Sequence, residues 1–126
     1  MKRLVISFVL FALVTAVCLG GSAFVNMSYK KICSELESAE QLMEKGDAKG
    51  AKECAIRAEE IYKDSERLLA AFVSHDVLDE VGVQLSAVAP FAEKESKEEF
   101  FSHSAQARVA LAHLHNDHRL ITQNLF

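Results

Sequence analysis

Leu4 to Met27 reads LVISFVLFALVTAVCLGGSAFVNM, and no charged residue occurs between Lys2-Arg3 and Lys30. A bilayer core needs roughly 20 apolar residues of helix, which this run supplies. A helix satisfies its own backbone polar groups, so it can sit in lipid. Lys2-Arg3 followed by Gly21-Ser22-Ala23 also fits the start and cut site of a secretory signal. The apolar run nevertheless continues through Phe24, Val25 and Met27 without a polar break, which favours a retained anchor. A lipid-modified Cys18 would follow Val17, a bulky residue where Gly or Ala is wanted, so Cys18 is expected to be a small lipid-facing hydrophobe. The expectation is a membrane segment over residues 1–29, in contact with lipid through residues 4–27, and a soluble domain over residues 30–126. Lys2 and Arg3 favour a cytoplasmic N-terminus at the cytoplasmic membrane, with the domain on the outer side, although Lys30 and Lys31 weaken that bias.

The rest of the chain reads as helices. The formal charge is −4 overall and −6 once Lys2 and Arg3 are set aside, which disfavours nucleic acid and anionic lipid as partners. One Pro and five Gly in 126 residues argue for long helices rather than a loop-rich fold. Ile32, Leu36, Ala39 and Met43 recur at steps of three and four, the stripe of a first helix. Gly46 can take a left-handed C′ conformation and Asp47 can cap a second helix. That helix carries Ala48, Ala51, Cys54, Ala55, Ala58, Ile61, Tyr62, Leu68, Leu69 and Phe72. Ser74 or Asp76 can start a third, striped by Leu78, Val81, Leu85 and Val88, with Pro90 expected to kink or end it near Ala89. Ser96 and Glu99 form a capping box ahead of a fourth helix. Its stripe is expected to use Phe101, Ala105, Leu111, Leu114 and His118, with Arg108 at the edge, and the apolar tail Leu120-Ile121 and Leu125-Phe126 to fold back on the domain. The fold class is therefore all-α: a transmembrane helix, then a four-helix up-down bundle or two stacked helical hairpins.

The three cysteines show no disulfide or zinc spacing. If Gly46-Asp47 joins antiparallel helices, Cys33 lies level with Glu60 and Cys54 with Ala39. The sulfurs are then offset by about six residues, roughly 9 Å along the axis, too far for a bridge.

His113, His115, Asp117 and His118 are candidate metal ligands. His115 and His118 share one face of a helix and His113 and Asp117 another. A site would need a further ligand from elsewhere, and exposed imidazoles near a helix C-terminus are the simpler expectation. His75-Asp76 matches a dipeptide of metal-dependent phosphohydrolases, but no matching His and Asp set accompanies it. Acidic residues at Asp76, Asp79 and Glu80 are ordinary helix-start chemistry. There is no Gly-rich phosphate loop and no triad order, so neither cofactor nor catalytic residue is expected.

A helix pair turning at Gly46-Asp47 with Ala51 following, then His75-Asp76, Leu78-Asp79-Glu80-Val81, a further helix pair and an Asn124-Leu125-Phe126 terminus form one arrangement. It resembles, over nearly the whole chain, the uncharacterised bacterial family called domain of unknown function 4363, found mostly in Firmicutes. Many members carry a Trp before the His-Asp pair, where this chain has Tyr62 and Phe72. The resemblance implies a small membrane-anchored helical protein and brings no catalytic residues. The leading functional expectation is a non-enzymatic protein-interaction module at the cell envelope, with a protein partner. The alternatives are a sensor-type ligand-binding bundle, with a cavity lined by Phe72, Leu85 or Phe101, and a metal-binding protein using the C-terminal histidines.

Overall fold

The computed structural model describes residues 1–94 and 96–125, with side chains described through Asp117. Four helices follow in order: α1 (Lys2–Glu44), α2 (Ala48–Leu69), α3 (His75–Glu93) and α4 (Lys97–Leu125). No strand occurs among the described residues. α1 packs on α2 and α4, and α3 packs on the same two helices, so the four close into an antiparallel up-down ring. Of the two arrangements expected from the sequence, the ring is the one formed.

The apolar segment and the first bundle helix are one helix of 43 residues. Position 29, where composition changes, is not a break in it. Burial begins at Gly21 and runs through Val25, Ser28, Ile32, Leu36, Ala39 and Met43 at helical steps. The close approach at Gly21 needs a missing side chain: a Cβ there would lie 2.2 Å from the Phe72 ring. Below Gly21 the helix leaves the bundle, and Leu4, Phe8, Phe11 and Leu19 are each at least 66% exposed.

α1 ends in a Schellman motif. Gly46 sits at φ 87°, its N–H donates to the Met43 carbonyl at 3.1 Å, and the Asp47 N–H donates to the Leu42 carbonyl at 2.9 Å. The Asp47 carboxylate then accepts from the Gly50 N–H at 2.9 Å and caps α2. This turn sets the α1–α2 register expected from the sequence. The Ser28 hydroxyl donates to that of Ser65 at 3.4 Å and the Arg57 guanidinium to Glu35 at 3.1 Å. These pairs keep the same level relation as Cys33 with Glu60, and the cysteines are free.

Three expected details differ. α2 stops at Leu69, so Phe72 lies in the following turn rather than on the helix, and Leu68 points outward at 57% exposed. α3 does not end near Ala89 but runs through Pro90 to Glu93. Proline removes one amide donor, but this one sits in the last turn, where buried Ala89 and Ala92 hold the backbone in place and the Pro90 carbonyl still accepts from Lys94 at 3.1 Å. On α4 the buried stripe is Phe100, Ser104, Ala107, Leu111 and Leu114 with Ala110 beside it; Phe101 is only half-buried and Ala105 is exposed. Ser104 hid this phase, because a polar residue interrupts the apolar pattern. The expected Leu120-Ile121 and Leu125-Phe126 contacts and the His118 stripe position lie outside the described side chains.

Besides the surface ion pair of Lys52 with Glu93 at 3.3 Å, the α2–α3 interface holds a buried polar contact. The Tyr62 hydroxyl, buried, donates to the Leu78 carbonyl. Burial, with the nearby Glu66 and Asp79 carboxylates, pushes Tyr62 up to about 12 from its ordinary value. The unfolded chain gives up this proton near pH 10, before the folded chain does. The stabilisation is therefore complete below pH 10 and falls as pH rises towards 12. Tyr62→Phe is expected to cost about 1 kcal/mol at neutral pH. It should also flatten the loss of stability in urea melts between pH 10 and pH 12, whereas an unchanged alkaline loss in the variant would assign that loss elsewhere.

Candidate functional site

The polar side chains of α4 are shared out among the other helices rather than gathered. Residues two apart on a helix point nearly oppositely, so His113 and His115 face different neighbours. His113 Nδ1 lies 3.6 Å from Glu80 Oε2 on α3. His115 stacks on Tyr29 of α1, with ring centroids 4.8 Å apart. The Asp117 carboxylate accepts from the Ser74 N–H at 3.0 Å. Ser74 is the N-cap of α3 and its own side chain makes no cap. Asp117 thus supplies, from another helix, what a capping-box acid supplies within one: an acceptor for an orphan donor and a negative charge at the helix start.

His75 Nε2 lies 3.8 Å from Asp79 on an exposed face, and Asp76 stands in the first turn of α3. Among the described residues, no three His, Cys, Asp or Glu side chains come together as a metal group would require. The His118 side chain lies outside those described.

An organised polar feature of the described residues is a seam between α1 and α4. Tyr29, Cys33 and Glu40 fall on one face of α1, and Ser104, Arg108 and His115 on the facing side of α4. Glu40 is its centre, accepting from the Ser104 hydroxyl at 2.6 Å and pairing with Arg108 at 2.8 Å. At the other end the Tyr29 hydroxyl stands near the Cys33 sulfur. Burial pushes the Cys33 thiol up, against the pull of Tyr29 and Arg108. Burial does the same to Cys54, whose sulfur accepts from Arg57 at 3.0 Å. A raised thiol stays protonated at neutral pH and is a poor nucleophile. The seam thus fixes the α1–α4 register. Glu40 was not singled out from sequence, where it stands beside buried Ala39 as one glutamate among many. Sequence shows only that polar residues recur at helical steps on each helix, 29-33-40 and 104-108-115; which of them meet is decided by the packing.

Surface hollows lie in the α2–α3 groove around Tyr62 and Gly82, in the α1–α2 groove around Ser34 and Ile61, and between Ala48 and Ala92. None of these three is lined by Phe72, Leu85 or Phe101, the positions expected around an interior ligand cavity. Leu85 is fully buried in the core.

The family model for a domain of unknown function, DUF4363, matches residues 20–125. The chain belongs to the DUF4363 family. The DUF4363 match begins at Gly20, next to the residue at which α1 enters the bundle, and takes in all four bundle helices. The exposed apolar part of α1 precedes it. No curated protein and no solved structure matches the chain. DUF4363 membership gives the domain its family and leaves its role to the physical features of the fold.

Proposed function

We propose that this DUF4363 protein is a non-enzymatic helical module, held at the cytoplasmic membrane by the first part of α1 and acting through protein contacts at the cell envelope. One observation carries it. From Leu4 to Leu19 every large hydrophobic side chain is exposed, on all faces of the helix, and the same helix then becomes a wall of the bundle. A helix apolar all round needs either a protein core or lipid around it, and the fold offers this stretch no core. The helix is long enough, and over one 18-residue window apolar enough, to cross a membrane. Retention rather than cleavage is supported by Gly21 and Val25, which are already packed in the bundle at the place where a signal cut would fall. Lys2 and Arg3 support an N-terminus in the cytoplasm and a bundle outside. The interaction role is supported by the protonated, packed thiols and by the dispersal of His113, His115 and Asp117 to separate structural contacts.

Two measurements on the full chain test this. Lys45→Cys in the exposed α1–α2 turn should react with a membrane-impermeant maleimide in intact cells, and labelling only after permeabilisation contradicts the orientation. Crosslinking in membranes followed by purification should recover one reproducible protein partner. Recovery of nothing above background contradicts the interaction role.

A further inference from the structure

We propose that the α2–α3 turn, Ala70 to Ser74, with Leu68 just before it, rests in the surface of the bilayer that α1 crosses, so that the bundle is seated on lipid. This rests on the membrane-spanning reading of α1. The first observation is height. A hydrocarbon core about 30 Å thick takes roughly 20 helical residues. Counted from Leu4, the first residue after the charged flank, it ends near Ala23. Phe72 packs against Gly21, so the turn stands at the level of the outer face of that core rather than above it. The Ser28–Ser65 contact lies further out, and α2 descends from there towards the lipid.

The second observation is chemistry. Leu68-Leu69-Ala70-Ala71-Phe72-Val73 contains no charge, although Lys63, Asp64, Glu66 and Arg67 come directly before it. Leu68, Ala70 and Ala71 are exposed. At the opposite end of the bundle the α1–α2 connection reads Lys45-Gly46-Asp47 and the α3–α4 connection reads Lys94-Glu95-Ser96, both of which suit water. An exposed apolar turn at one end only, at the height where the bilayer surface falls, fits lipid as its partner. Arg67 in the last turn of α2 is placed to reach the headgroup phosphates, with its stem along the apolar surface.

The chain has no Trp, so a single introduced indole reports one position. Leu68→Trp, Ala71→Trp, Phe11→Trp and Lys45→Trp, each in the full chain, are compared in phosphatidylcholine vesicles containing lipid brominated near the headgroup end of the acyl chain. Positions 68, 71 and 11 are expected to lose most of their emission and position 45 to keep it. Quenching at 11 with none at 68 and 71 overturns the seating and leaves the membrane span intact. No quenching at 11 overturns the span, and the seating with it. Equal quenching at 45 and 68 overturns the seating, because the bundle would then lie along the lipid. Emission at 68 and 71 that responds to protein density but not to bromine also overturns it, assigning the turn to a second copy of the chain.

Discussion

Arginine at both Leu10 and Val14 is expected to move the protein from the membrane pellet to the soluble fraction on carbonate extraction. Both positions lie in the middle of the exposed apolar part of α1. Translocon-based scales put one Arg at a helix centre at about 2.5–3.5 kcal/mol, hence about 5–7 kcal/mol for the pair. Neither side chain belongs to the bundle core, which begins at Gly21. The substitutions should therefore leave the cooperative unfolding of the bundle unchanged in detergent, while Leu10→Phe with Val14→Ile should leave membrane retention unchanged as well. Full retention of the double-arginine protein in the pellet would show that something other than this stretch holds it there.

Phe100→Ala is expected to be the most destabilising single core truncation, at about 3–5 kcal/mol. Phe100 is fully buried and meets Phe101 edge to face, with centroids 5.6 Å apart at 83°. A loss of that size is a large part of the about 5–15 kcal/mol that stabilises an ordinary domain. Phe101→Ala should cost clearly less, because that ring is only half-buried. Urea melts of the two variants side by side measure the phase of α4. A larger loss from Phe101 would mean that α4 is turned by about one residue, roughly 100°, towards the stripe expected from the sequence.

That pair of phenylalanines illustrates where sequence patterning works in this chain and where it stops. The stripe Ile32-Leu36-Ala39-Met43 was legible because polar residues separate its members, and all four are buried. The Gly46-Asp47 turn was legible because only a few residue types suit it, and it set the α1–α2 register. Upstream the same logic fails. Within LVISFVLFALVTAVCLGGSAFVNM every face is apolar, so the buried positions Gly21 and Val25 cannot be told from their neighbours by hydrophobicity. The entry of α1 into the bundle was therefore invisible. On α4, Ser104 is buried because its hydroxyl donates a hydrogen bond to Glu40, a contact between residues 64 positions apart. No local pattern records that. The C-terminal histidines looked grouped because sequence spacing is short, yet a helix turns His113 and His115 to different partners. The polar seam went unseen for the related reason that its two halves are matched only across space.

Amide hydrogen exchange on the full chain in lipid nanodiscs tests the continuity of α1 most directly. Protection should run without interruption from Val5 through Glu44, including Gly20, Gly21 and Ser22, because lipid covers one half and the bundle holds the other. Rapid exchange confined to Gly20–Val25, or membrane protein whose first residue is Phe24, would contradict a single helix serving as both anchor and bundle wall.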